Sequence, residues 1–175
     1  MSESVQERAA HIKLLLMDCD GVLTDGRIWV LEGGDDQKAF STLDGLGLEL
    51  LHRAGLRSGI ISGRPSSAVE RRARGLGITF LHLGRSDKLN AFYETLTMAG
   101  VSASNVAFIG DDLNDIPVMG KSRLGVAVAN ASAETKEHAH YITAATGGYG
   151  AVREVVELIL KSQGRWADLI AGFLR

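Results

Sequence analysis

One cysteine, two prolines and no long apolar run set the first limits on this chain of 175 residues. The lone cysteine, Cys19, excludes an internal disulfide and suits a reducing compartment. No segment approaches the roughly 18 apolar residues that span a bilayer. The opening M-S-E-S-V-Q-E-R-A-A is too polar for a signal peptide. An excess of one charge is missing too. Lys and Arg number 19 against 21 Asp and Glu, a formal net of −2, which removes the electrostatic case for nucleic acid or an anionic membrane. The densest basic cluster, Arg71, Arg72 and Arg74, falls in one expected helix and reads as its solvated face. A cytoplasmic soluble protein is therefore expected. Hydrophobic content of 45% and charged content of 23% are ordinary, and the length suits one domain with a substantial core. No linker, repeat or low-complexity stretch interrupts it, so residues 1–175 read as a single domain.

Apolar patterning supplies the elements. I-K-L-L-L-M at 12–17, S-G-I-I at 58–61, a short stretch at 79–83, V-A-F-I-G at 106–110 and L-G-V-A-V at 124–128 read as buried strands. R-I-W-V-L and Q-K-A-F-S flank E-G-G-D-D, which signals a β-hairpin over about 27–41. Helices are expected at 43–54, with Leu46, Leu50 and Leu51 on one face, and at 65–75, with Pro65 in the first turn and Gly75 closing it. A third follows at 87–99, capped by Ser86 and closed by Gly100. Val152, Val155, Val156, Ile159 and Leu160 mark an amphipathic helix over 149–162. Strands alternating with helices predict an α/β fold, a doubly wound parallel sheet with helices on both faces and no cap domain beyond the hairpin. The tail, 164–175, is apolar for a chain end.

In such a sheet, ligands bind beyond the carboxyl ends of the strands. Asp18-Cys19-Asp20-Gly21 follows the first strand, Ser62-Gly63-Arg64 the second, and Asp111-Asp112-Leu113-Asn114-Asp115 the strand at 106–110; Lys88 opens the helix after 79–83. Asp18 and Asp20 would repel each other, each raising the other's pKa, and a divalent cation offsets that. With Asp111 they offer the hard oxygen ligands that suit Mg²⁺. Ser62 and Gly63 can donate to phosphate oxygens, and Lys88 can neutralise charge on a transferring phosphoryl group. One aspartate of the pair can be a nucleophile and the other a general acid and base.

Each residue also has a plainer role open to it. Asp18 and Asp20 can form a turn that caps a helix, Ser62-Gly63 can start one, Lys88 can be solvated, and Asp111, Asp112 and Asp115 can be an exposed acidic turn. Arg64 divides between a substrate contact and a surface ion pair. Cys19 reads as packing, His138 and His140 as surface or helix-end residues, and G-G-Y-G at 147–150 lacks the lysine of a nucleotide loop. No G-x-S-x-G nucleophile elbow is present.

Together, D-C-D-G-V-L-T-D, I-I-S-G-R, Lys88 and G-D-D-L-N-D resemble the four motifs of the haloacid dehalogenase superfamily of Mg²⁺-dependent phosphatases, in order. The resemblance implies that Asp18 is nucleophile and metal ligand, that Asp20 is general acid and base and ligates through its main-chain carbonyl, and that Asp111 is the third ligand. It further implies that Ser62 and Lys88 hold phosphate, with Asp112 and Asp115 in the acidic motif and Asp115 orienting Lys88 or metal waters. The hairpin, F-S-T-L-D-G-L-G and T-G-G-Y-G-A-V-R-E-V extend the likeness over almost the whole chain, to the capless 3-deoxy-D-manno-octulosonate 8-phosphate phosphatases of lipopolysaccharide precursor synthesis. That family implies a homotetramer assembled through hairpins, and the apolar tail with Trp166, Leu169, Ile170, Phe173 and Leu174 adds a candidate partner surface. Arg64 would then meet the substrate's carboxylate or phosphate. Here G-G-D-D in the hairpin turn and Pro65 after Arg64 depart from the family pattern. The alternatives are a phosphatase for a sialic-acid-like 9-phosphate or another small phosphometabolite, and a non-catalytic oligomerisation or regulatory module of a sugar-acid pathway.

Overall fold

The computed structural model describes residues 3–33 and 36–174. Helix α1 (Val5–Ala10) opens with a capping box, Ser4 accepting from Glu7 N while the Glu7 carboxylate accepts from Ser4 N. Then follow β1 (Leu14–Met17), the hairpin strands β2 (Trp29–Val30) and β3 (Asp36–Gln37), α2 (Thr42–Arg53), β4 (Arg57–Ile61), α3 (Ser67–Gly75), β5 (Phe80–His82) and α4 (Lys88–Ala99). The second half runs β6 (Val106–Gly110), α5 (Ile116–Met119), β7 (Leu124–Ala127), α6 (Ala133–Glu137), β8 (Tyr141–Ile142), α7 (Ala151–Ser162) and α8 (Trp166–Ala171).

Six strands form one parallel sheet in the order β5-β4-β1-β6-β7-β8. β1 and β6 are buried along their whole length, as the apolar runs require. The chain builds outward from β1 to β5, then returns to lay β6 on the other side of β1. Right-handed crossovers send the helices of the two directions to opposite faces. α2 and α1 pack on α7, while α4 packs on α5. The reversal between β1 and β6 opens a crevice at their carboxyl ends, where ligands bind in sheets of this kind.

Several local expectations are corrected. Pro65 lies outside α3, whose cap is Ser66, and the left-handed residue after that helix is Gly77 rather than Gly75. Asp87, not Ser86, caps α4 by accepting from Asn90 N. Leu46 is exposed; Leu48 joins Leu50 and Leu51 in the core instead. The hairpin exists, pairing Trp29 with Gln37, but its strands are two residues long. Gly34 and Asp35 of its acidic turn lie outside the described residues. Arg72 does not join Arg71 and Arg74 in solvent: it donates to Ser41 O and lies over the Phe40 ring, bracing the hairpin's exit. In the tail, Trp166 and Leu169 pack against the core, leaving Phe173 and Leu174 exposed. Among the described residues, no helix is long and apolar enough to cross a membrane.

Candidate active site

The site grows from the end of β1. Asp18 N still donates to Ile109 O at 3.0 Å, so the sheet fixes this residue at the crevice. The chain then turns sharply. Thr24 Oγ1 donates to Cys19 O and accepts from the amides of Gly21 and Gly26. Gly21 takes φ +97°, and a Cβ there would lie 2.0 Å from Asp111 Oδ2. The glycine after the aspartate pair thus leaves room for the third carboxylate.

A buried ion chain lies beneath. Lys88 Nζ is 2.9 Å from Asp18 Oδ1 and 2.7 Å from Asp115 Oδ1, and all three side chains are shielded from solvent. Asp115 Oδ2 accepts from the amides of Asp111 at 3.0 Å and Asp112 at 3.4 Å. Both Asp115 oxygens are therefore engaged, and the residue orients Lys88 and the acidic turn. Burial works against the Lys88 ammonium, but Asp18 and Asp115 outweigh it and raise its pKa. Burial, then the charge of Asp115, pushes Asp18 up to about 6 despite Lys88. Burial, then Asp18 and Asp115, pushes Asp111 up to about 8.

Oxygens of Asp18, Asp111 and Asp115 lie within 4.8 Å of one another. The donor set is all carboxylate, and its mutual repulsion is what a hard divalent cation relieves. It fits Mg²⁺. Since Asp115 is committed to Lys88 and two amides, Asp18 and Asp111 are the carboxylates left to face a metal.

Asp18, Asp20, Ser62, Gly63, Arg64, Lys88, Asp111 and Asp112 line one cleft of about 240 Å³ together with Asn114. Every candidate from the sequence is thus brought together, with Asp115 behind Lys88. Ser62 is held at the end of β4, its amide donating to His82 O and its Oγ accepting from Arg64 N. Gly63 and Arg64 are exposed at the rim. Asp112 caps the turn that follows, accepting from Leu113 N at 2.8 Å. Asp20 differs from Asp18: its Oδ1 pairs with Lys38, and its buried Oδ2 has no hydrogen-bond partner among the described residues.

Lys38 and Asn114 were not among the sequence candidates. Asn114 stands inside the quoted acidic motif, but nothing in its type or spacing marks a lysine in Q-K-A-F-S as reaching β1. His140 Nδ1 accepts from Gly125 N, and Nδ1 of the helix-end His138 bonds Glu134 O, which agrees with their structural reading. Cys19 is fully buried and its thiol pKa is raised by burial, so it packs. The G-G-Y-G turn presses on the β1 loop, Gly148 N donating to Val22 O at 2.9 Å.

A family profile for haloacid dehalogenase-like hydrolases matches residues 83–155. The 3-deoxy-D-manno-octulosonate 8-phosphate phosphatase KdsC of Yersinia pestis is 46% identical over 165 residues, 94% of this chain and 88% of that protein. This chain belongs to that phosphatase family. The same family's enzyme from Moraxella catarrhalis, crystallised with magnesium ion, phosphate ion and a KDO molecule, superposes with a TM-score of 0.94 at 44% identity, covering 97% of each chain. A probable YrbI family phosphatase from Pseudomonas syringae reaches 0.96 at 46% identity, covering 99% of each chain. The six-stranded parallel sheet with its flanking helices is thus that of a haloacid dehalogenase-type phosphatase.

Proposed function

We propose that residues 1–175 form one catalytic domain that hydrolyses 3-deoxy-D-manno-octulosonate 8-phosphate through an aspartyl-phosphate. The observation that carries this is the buried Asp18–Lys88–Asp115 chain opening onto Asp111 and Ser62. The substrate follows from relatives named for it. Mg²⁺, held by the carboxylates of Asp18 and Asp111 and the main-chain carbonyl of Asp20, neutralises charge so that a dianionic phosphate can approach the carboxylates. Asp18 attacks phosphorus in line with the leaving sugar oxygen. Ser62 and Lys88 hold the phosphoryl oxygens, Lys88 being fixed by Asp115. Asp20 protonates the departing oxygen, then takes a proton from the water that cleaves the aspartyl-phosphate. Arg64, exposed at the rim, reads the sugar's carboxylate.

The small hairpin leaves the cleft open, and its Trp29 and Val30 are 64% and 79% exposed. Those apolar side chains, with Phe173 and Leu174, support a cytoplasmic homotetramer assembled through hairpin and tail. The test is phosphate release with Mg²⁺ from the octulosonate 8-phosphate, sialic-acid-type 9-phosphates and common sugar phosphates, with Asp18→Asn as control. Preference for the octulosonate, lost in Asp18→Asn, supports the reading. Preference for a 9-phosphate moves the substrate, and release from none returns the chain to the class of assembly modules.

A further inference from the structure

We infer that Lys38 is a positioning residue: it anchors Oδ1 of Asp20 and so fixes the carboxylate that carries the proton in both half-reactions. The inference rests on Asp20 as the general acid and base.

Lys38 directly follows β3, in a hairpin whose Trp29, Val30 and Gln37 are exposed. Its side chain is 1% exposed, whereas Arg27, at the other foot of the same hairpin, is 78% exposed. A lysine is costly to bury, and a hairpin offers it every route back to water. Lys38 instead crosses to β1's loop and pairs with Asp20 Oδ1. The remaining oxygen, Oδ2, is buried and lacks any hydrogen-bond partner among the described residues. The two aspartates of D-C-D therefore have separate ammonium partners, Lys88 for Asp18 and Lys38 for Asp20. With Oδ1 held by Lys38, the Asp20 carboxylate is fixed in orientation beside the cleft that Asp20 lines.

In the first half-reaction, the Asp18–phosphorus bond forms as the sugar oxygen–phosphorus bond breaks, and the proton on the Asp20 carboxyl passes to the sugar oxygen. In the second, water oxygen bonds phosphorus, the Asp18–phosphorus bond breaks, and the Asp20 carboxylate takes the water proton. Lys38 keeps its protons throughout.

The experiment compares the full-length wild type, Lys38→Met and Lys38→Cys, the last before and after aminoethylation with 2-bromoethylamine. Cys19 is buried and is the only other thiol. On the sugar phosphate, Lys38→Met is expected to lose about 100-fold in kcat, the lower end of what a general acid contributes. KM should stay within about 3-fold, because substrate binding is untouched. p-Nitrophenyl phosphate releases a phenolate that needs no proton. Its pre-steady-state burst should therefore stay within about 3-fold of wild type while steady turnover, which needs Asp20 as base, falls. Aminoethylation should restore at least about 10-fold of the loss, since it returns an ammonium at the same reach. An unchanged kcat in Lys38→Met overturns the inference. So does a parallel fall of burst and steady rates that aminoethylation does not reverse, the mark of a mere hairpin anchor. A wild type inactive on every substrate overturns the phosphatase reading, and this inference with it; an active wild type indifferent to Lys38→Met overturns this inference alone.

Discussion

Replacing Gly147 by alanine tests whether the G-G-Y-G turn holds the catalytic loop in place. A Cβ at Gly147 would sit 1.7 Å from Gly21 O, 2.5 Å from Gly21 C and 3.1 Å from Val22 N. Real Cβ atoms do not come within 3.0 Å, so turn and loop must part by at least 1.3 Å. The parting strains two hydrogen bonds of 2.9 Å, Gly148 N to Val22 O and Gly147 N to Asn130 Oδ1. At about 1 kcal/mol for each bond and about 1–3 kcal/mol for overpacking, stability should fall by roughly 3–5 kcal/mol. For a domain this long that is a drop of about 6–20 °C in Tm. Gly21 follows Asp20 and adjoins Asp111, so a shift of about 1 Å there should cost about 100-fold in kcat. Thermal melts and phosphate release give both quantities. Gly75→Ala is the control: it ends α3, a Cβ there meets nothing within 4 Å, and its Tm should hold or rise. If Gly147→Ala keeps wild-type kcat and Tm, the turn does not support the loop and the reasoning fails.

Asp115→Asn keeps the shape behind Lys88 but removes the charge that fixes it, and kcat at saturating Mg²⁺ should fall by about 10–100-fold; a loss under about 2-fold would show Lys88 is held without it. Asp18 and Asp111, raised to about 6 and about 8 from an ordinary 3.8, keep protons in the metal-free fold that the unfolded chain has already released. These two groups therefore lower metal-free stability progressively as pH rises from about 4 to about 8. Mg²⁺ must displace the same protons, so it should raise Tm more near pH 8 than near pH 6 in differential scanning fluorimetry, and equal shifts would contradict the linkage. Asp44 is buried in α2 and accepts from Gly150 N and Arg153 N at the start of α7. Asp44→Ala should cost about 2 kcal/mol in urea unfolding, and a loss below about 0.5 kcal/mol would mean α7 needs no such cap.

The strand cores and the rim motifs were legible because each rests on local pattern. V-A-F-I-G stands as β6 at the residues its apolar run marks, and Asp18, Ser62, Lys88 and Asp111 meet because each follows or opens an element of the parallel sheet. Less was legible where tertiary contact decides. Leu46 fits the helical spacing of α2, yet the face that meets α7 carries Asp44 and Gly47, a carboxylate and a glycine that a hydrophobic pattern passes over. Gly47 is small because Arg153 lies 3.1 Å from where its Cβ would be. The two-residue β8 and the five-residue α6 are too short to show a period. Lys38 was invisible for the same reason: its partner is 18 residues away across a hairpin whose register the pattern does not define.

The most direct measurement quenches the wild type in acid during turnover of 3-deoxy-D-manno-octulosonate 8-phosphate with Mg²⁺, then maps the covalent phosphate by peptide mass spectrometry. Phosphate is expected on Asp18, absent without Mg²⁺ and absent in Asp18→Asn. Steady hydrolysis with no phosphate on Asp18, or with phosphate on another residue, would contradict the aspartyl-phosphate route.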